Sequence, residues 1–430
     1  MPASIVSSNR EKIVLQIEIP IEAGNMLDLE NSLQKTLNDA GQLGTQELLG
    51  LFEPANKEPI VVNKQKWSYK GKVLKHYESM YGKIPFKRSV YQGVRGGVTL
   101  SPLDIDAGIV GSATPKFAKS LAWKYSQMPA PAVKEDFEAN HQRTLSNSYI
   151  KHLSDRVGAL IEEHSDADHD YDYDLPQLDK PVSTVAIGLD GTCMLLCEEG
   201  WREAMCGTLS LYSADGDRLH TIYIGSAPEY GKESFLTKLN DEITALKQKY
   251  PQVTYIGVAD GAKENWRFLK QHTSGQILDF YHASEYLGGV AEALFPTSKA
   301  KRKLWLEDRL HCLKHKRGGA KKILHEIESA ELPKKTTALI EKRYKAVTYF
   351  TNNHQLMNYH QAIKRHWPIG SGVTEAACKT LVKQRLCSSG MRWKATGAEV
   401  LLNTRSLIQS KGRWEQLWTN ILSGKQKVDL

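Results

Sequence analysis

Three carboxylates in this chain stand in surroundings that invite chemistry. Asp190 closes the apolar run "VSTVAIGLD", Asp260 closes "QVTYIGVAD", and Glu375 lies just inside a helix that opens on Gly370-Ser371-Gly372. With 49 acidic residues to choose from, their spacing alone carries no weight, so placement must decide. The carboxyl ends of strands are where open α/β sheets hold their ligands, and a helix N-terminus with free N–H groups favours anions. Two aspartates at neighbouring strand ends, with a glutamate offered from a helix, would present hard oxygen ligands to two Mg²⁺ ions, or to Mn²⁺ in their place. A pair of such ions about 4 Å apart stabilises the attacking and leaving oxygens of a phosphodiester displacement. Each residue also has a plainer explanation. Asp190-Gly191 and Asp260-Gly261 are common turn dipeptides, and Glu375 could serve only the helix dipole.

The elements that would position these groups follow from hydrophobic periodicity. A strand ending at Asp190 is followed by a second near Ala204 to Tyr212, then a third, "LHTIYIG", reached through an Asp215-Gly216 turn. The helix "ESFLTKLNDEITALKQKY" carries Phe235, Leu239, Ile243 and Leu246 on one stripe. A strand to Asp260, the short helix "KENWRFLKQH" and a strand "GQILDFYH" ending near His282 complete a β-β-β-α-β-α-β order. A helical region from about 283 to 365 then precedes the Glu375 helix. The fold class is therefore α/β, a mixed sheet with a helical insertion.

The stretch 162–181, "EEHSDADHDYDYDLPQLDKP", is acidic and carries two prolines, which marks a linker. The expected organisation is an α+β N-terminal region at 1–161 and the linker at 162–181. A catalytic domain formed by 182–282 and 366–410 follows, with a helical insertion at 283–365 and a tail at 411–430. In the first region, Asp28 to Leu51 has helical periodicity and the following strands turn at Tyr81-Gly82-Lys83. The segment "LSNSYIKHLSDRVGALI" reads as a helix capped by Ser146, with Ile150, Leu153, Val157 and Leu160 on one face. It would suit either packing or DNA reading through Asn147, Tyr149, Lys151 and His152.

A net charge of +8 and a pI near 8.9 suit a polyanionic partner. The basic run at 299–322, with Lys301, Arg302, Lys303, Lys316 and Arg317, interleaves its charges with Trp305, Leu306, Leu310 and Leu313, so one face can pack and the other meet phosphates. Downstream of Glu375, Lys379, Lys383 and Arg385 can track a DNA backbone, and Arg392 with Trp393 can grip or stack on a distorted DNA end. A core tryptophan is the alternative for Trp393. No apolar signal region and no run of about 18 apolar residues is present, so the expectation is a cytoplasmic, nucleoid-associated protein without a membrane partner. Six cysteines lack paired C-x-x-C spacing. "HCLKH" places His311 and His315 one turn apart, two ligands where a closed zinc site needs about four.

Four ordered motifs, "IGLDGT", "GVADGAKENW", "DFYH" and "PIGSGVTEAACKTLVKQRLCSSGMRW", together resemble the DDE transposases of bacterial insertion sequences, most closely the ISKra family, related to Mutator-like elements. The likeness runs through most of 181–410 and more loosely through the N-terminal half. It implies an RNase H-like fold with an α-helical insertion, and metal ligation by Asp190, Asp260 and Glu375. It also matches Asp279 and His282 to the C/D-x-x-H motif of Mutator-like catalytic domains, where His282 would donate to the scissile phosphate or steady a ligand. The implied activity is cleavage of element ends and joining to target double-stranded DNA by a DNA-bound homo-oligomer. A nuclease that does not join, and an inactive DNA-binding regulator, are the alternatives. The cysteine-rich N-terminal zinc motif of many relatives is absent here.

Overall fold

All the strands needed to carry these carboxylates belong to one unit of the computed structural model, Asp174–Gly412; Met1–Tyr173 and Arg413–Leu430 form the other. The structure describes residues 3–21, 24–62, 64–93, 96–166, 173–334 and 336–423. Residues 167–172 of the acidic segment and 424–430 at the C-terminus lie outside the described residues.

In the N-terminal unit, β1 (Ala3–Ser8) and β2 (Ile13–Ile17) pair antiparallel ahead of α1 (Met26–Gly50). That helix starts at a capping box, in which Asn25 accepts from the Asp28 N–H and Asp28 from the Asn25 N–H. A four-stranded sheet follows in the order β3 (Ile60–Val62), β4 (Gln65–Glu78), β5 (Lys83–Gly93), β6 (Thr99–Leu100), and β4 turns into β5 at the expected Gly82. Helices come next: α2 (Pro102–Asp106), α3 (Pro115–Gln127), α4 (Ala130–His141) and α5 (Asn147–Asp166). Ser146 Oγ accepts from the Tyr149 N–H at 3.1 Å, and Ile150, Leu153 and Val157 are buried. Lys151 and His152 are exposed, whereas the Tyr149 hydroxyl lies 3.3 Å from Ser112 Oγ.

The second unit is built on a mixed five-stranded sheet. β7 (Thr184–Leu196), β8 (Gly200–Tyr212) and β9 (Arg218–Ser226) are antiparallel; α6 (Glu233–Lys249), β10 (Thr254–Ala259), α7 (Lys263–His272) and β11 (Gly275–Leu278) follow. The strand order is β11-β10-β7-β8-β9, with β10 parallel to both β7 and β11. Val185, Ala186, Ile187 and Leu189 are all buried, the continuous apolar run of a strand covered on both faces. Each such aliphatic side chain larger than alanine stabilises the fold by roughly 1.5–3 kcal/mol. Phe235, Leu239, Ile243 and Leu246 on α6 are buried as their periodicity predicts, and Gly207 on β8 leaves room for Phe235 and Leu239 above it.

One boundary differs from the sequence reading in a way that matters. β7 does not end at Asp190 but runs on to Leu196, with Asp190 paired to Cys206 inside the β8 ladder. Gly191 makes no turn there. A Cβ at that position would stand 2.3 Å from Glu203 Cδ, so the glycine admits a cross-strand side chain.

Between the sheet and the Glu375 helix lie α8 (Phe280–Leu294), α9 (Lys299–His315), α10 (Gly319–Ser329), α11 (Thr337–Asn353) and α12 (Tyr359–Lys364). Then come α13 (Gly372–Ala377), a π-helical turn (Cys378–Lys383), α14 (Gln384–Leu386) and α15 (Ala395–Gln409). α15 covers β9: Ser406 and Ser410 accept from the Gly225 and Tyr223 N–H groups, each at 2.9 Å, so an edge strand keeps few free donors. The last described segment is helical, α16 (Arg413–Ser423), and buries Trp414, Leu417 and Trp418 within the N-terminal unit.

Candidate functional site

Strand register lines up three aspartates. β7 pairs with β10 with Ile187 opposite Gly257, and β10 pairs with β11 with Ala259 opposite Leu278. Continuing those offsets sets Asp190 level with Asp260, and Asp260 level with Asp279. The result is one row across three adjacent strands, at the carboxyl ends of β10 and β11.

Asp190 is enclosed and short of compensation. Its Oδ1 accepts the Gly191 N–H at 2.7 Å, and its Oδ2 lies 3.6 Å from the Cys378 thiol. Burial pushes its pKa up. The negative charges of Asp260 and Glu375 push the same way, against the two hydrogen bonds. Among the described residues, Asp190, Asp260 and Glu375 have no Lys or Arg ion-pair partner. The charges of Asp260 and Glu375 are felt at Asp190, but the three do not form a group with ligand atoms within 4.8 Å of one another; carboxylates without a counter-charge are chemically suited to Mg²⁺ or Mn²⁺.

Asp260 follows β10 directly and does two things at once. Its Oδ1 accepts the Ala262 N–H at 3.1 Å, Gly261 adopts φ +136°, and Tyr349 donates to the Asp260 carbonyl at 3.2 Å. The turn read from Asp-Gly is real here, and it holds the carboxylate at the strand end.

Glu375 is exposed in the first turn of α13, and its position is fixed from both sides. On one side, the buried Thr374 and Thr208 hydroxyls lie 2.7 Å apart, tying α13 to β8. On the other, Ser371 Oγ lies 2.7 Å from Glu375 Oε1 and 2.9 Å from Asp279 Oδ2, and its single proton can serve one carboxylate at a time. The Ser371 N–H also donates to Asp279 Oδ2.

Asp279 is fully buried and caps α8, accepting the His282 N–H at 2.7 Å. His282 therefore sits in the first turn of a helix and not at a strand end, because Asp279 starts the helix the sequence reading placed later. Its Nδ1 lies 3.4 Å from Asp279 Oδ1 without meeting hydrogen-bond geometry. Asp279, His282 and Glu375 each offer a ligand atom within 4.8 Å of the others, the tightest such trio among the described residues. Glu375 thus belongs to this trio and is also felt electrostatically at Asp190.

The basic residues singled out in the sequence divide. Lys379 and Lys383 are exposed, four and eight residues beyond Glu375, and Arg392 is exposed. Arg385 is buried at 2% exposure with its guanidinium 5.1 Å from the Trp393 ring centroid, so it braces protein and does not face solvent. Trp393 is half-buried, donates from its ring to the Leu386 carbonyl at 2.9 Å, and pairs its backbone with Leu195 and Cys197 at the end of β7. Lys301, Lys303, Lys316 and Arg317 are exposed, whereas Arg302 turns back to the Phe295 and Pro296 carbonyls. Ser371 and Cys378 were missed as site residues, although both lie inside the quoted Glu375 block; a Gly-Ser-Gly turn three residues before a lone Glu was the available signal. No helix among the described residues is long and apolar enough to cross a membrane. No protein-family model and no curated protein matches the chain.

Proposed function

We propose that this chain is a metal-dependent DDE transposase, which cuts the ends of a mobile element and joins their 3′-hydroxyls to target double-stranded DNA. The observation that carries the reading is the row of Asp190, Asp260 and Asp279 across three adjacent strands, with Glu375 beside it and, among the described residues, no Lys or Arg ion-paired to Asp190, Asp260 or Glu375. The strand order supports an RNase H-like sheet: numbered from β7, it runs 3-2-1-4-5 with only the second strand antiparallel to the first, and helices separate the last strand from the Glu375 helix.

Asp190, Asp260 and Glu375 would hold Mg²⁺, which when bound supplies activation of the attacking oxygen and stabilisation of the leaving one. The protein's own part is positioning. Ser371 and Thr374 fix Glu375, and Lys379 and Lys383 offer charge to the DNA backbone on the same side of the helical segment. His282, with its Nδ1 3.4 Å from Asp279 Oδ1, would donate to a phosphate oxygen. Handling two DNA ends together calls for a homo-oligomer on DNA, acting in the cytoplasm at the nucleoid.

The test is a cleavage and joining assay with Mg²⁺ on DNA carrying the sequence that flanks the gene, comparing the protein with Glu375→Gln. Joined product that disappears in the variant is the expected result. Cleavage without joining would leave a nuclease, and binding without cleavage by either protein would leave a regulator. A second expectation concerns Lys301, Lys303, Lys316 and Arg317. Replacing all four by Ala should flatten the slope of log K against log salt by about 0.9 for each phosphate no longer neutralised. An unchanged slope would move the DNA path off this face.

A further inference from the structure

Tyr281 stands between Asp279 and His282 in sequence, yet its ring stays out of the core that its neighbour enters: Phe280 is 8% exposed and Tyr281 67%. The turn that leads to Glu375 fixes where the ring lies. The Phe280 N–H donates to the Ile369 carbonyl at 2.9 Å, the Ser371 N–H donates to Asp279 Oδ2, and Ser371 Oγ lies 2.9 Å from the same oxygen. Gly370 sits between these contacts and does not need glycine for a positive φ. What it supplies is room. A Cβ there would stand 3.0 Å from Tyr281 Cε2, 3.1 Å from Cδ2 and 3.4 Å from Asp279 Oδ2. One edge of the ring therefore lies on Gly370, beside the carboxylate that forms a trio with His282 and Glu375, and most of the side chain is open to solvent. Trp393, which the sequence offered for stacking, is half-buried and engaged with Arg385 and the Leu386 carbonyl.

We infer that Tyr281 is a stacking platform for an unpaired base beside the scissile phosphate. The inference rests on the transposase reading for its substrate and adds to it a contact with the base. Carboxylates and the ions they hold act on phosphate and have no grip on a base, whereas an aromatic ring meets the π-face of any base whatever its identity. Inside a duplex both faces of a base are covered by its neighbours. A nucleotide at a cut or unstacked step has a face free, so a ring at this place favours opened DNA over intact duplex. Tyr281 and His282 are consecutive in the first turn of α8, which would let one turn of helix hold the base and donate to the phosphate.

The experiment measures cleavage by the full chain, with Mg²⁺, of DNA carrying the sequence that flanks the gene, and of two versions made abasic at one or the other nucleotide bordering the cut. Tyr281→Ala should slow cleavage of the intact DNA about tenfold, and Tyr281→Phe, which keeps the ring, should recover most of that loss. On one of the abasic DNAs the parent should be slowed as much, and Tyr281→Ala should add nothing further. A residue that merely steadied Gly370 and Ser371 would slow every DNA alike. Because Tyr281 is exposed its truncation opens no cavity, and circular dichroism checks that the variants fold. If the parent cuts, the inference alone is overturned by a Tyr281→Ala variant at the parent rate, by slowing that Tyr281→Phe shares, or by a penalty that persists on both abasic DNAs. A parent that cuts no DNA overturns the transposase reading and this contact with it.

Discussion

Asp190→Asn should abolish DNA cleavage while making the metal-free protein more resistant to heat. The first half follows from the role proposed for Asp190. Losing a ligand from a site that stabilises both reacting oxygens removes several kcal/mol of transition-state stabilisation, which is about 10³-fold or more in rate. The second half follows from the fold itself. Burial, Asp260 and Glu375 raise the Asp190 pKa, so folding favours the protonated form. Stability from this group is therefore complete below the ordinary aspartate range and declines as pH rises through the raised value. Asparagine, permanently neutral, keeps the stable condition at pH 7. The variant's advantage in melting temperature, measured in EDTA, should shrink as pH is lowered into the ordinary aspartate range. Mg²⁺ should reverse the ranking at neutral pH, since bound metal stabilises by RT ln(1 + [Mg²⁺]/Kd), about 2.7 kcal/mol at a hundred times Kd. Cleavage at the normal rate, or a variant that melts lower than the parent in EDTA at pH 7, would remove Asp190 from the site.

The sheet was legible because its strands and helices differ in period. The continuous apolar run of β7 and the Phe235, Leu239, Ile243, Leu246 stripe of α6 leave few alternatives. What failed was punctuation. Asp190-Gly191 and Asp260-Gly261 are the same dipeptide, yet the first lies inside a ladder and the second makes a turn at φ +136°. Local sequence cannot separate them, because it is the pairing with β8, Gly191 opposite Met205, that keeps the first dipeptide extended. Asp279 illustrates the converse. It is an N-cap residue before Phe280, Ala283 and Leu287, a local signal available in the sequence, but the strand reading ran through it to His282. Its link to Ser371, 92 residues on, has no sequence signature at all. The spacing of Asp190 and Asp260 was uninformative until the register of β7 and β10 showed the same offset.

Gly188→Ala tests whether that assembled geometry, and not carboxylate identity alone, carries the activity. Gly188 on β7 touches no candidate ligand, but an added Cβ would stand 2.1 Å from Thr374 Oγ1 and 3.1 Å from Thr208 Oγ1. Both threonines are buried and hydrogen-bonded to each other, so neither can swing away into solvent. The methyl group must push α13 off the sheet, and Glu375 is the next residue along. Overpacking of this kind costs about 1–3 kcal/mol of stability. A displacement near 1 Å can cost about 10²-fold in rate where reacting groups must be aligned. The expected variant is folded, modestly destabilised in urea and severely slowed in cleavage. Combining it with Thr374→Ala should restore part of the rate, because the obstructing hydroxyl and methyl are gone, although Thr374→Ala alone leaves the buried Thr208 hydroxyl without its partner. Rescue in the double variant distinguishes displacement of Glu375 from general destabilisation, which two destabilising changes would only deepen. Full activity in Gly188→Ala would mean that the seat of α13 on β7 and β8 does not set the reacting geometry, and the placement of Glu375 beside Asp190 would lose its functional meaning.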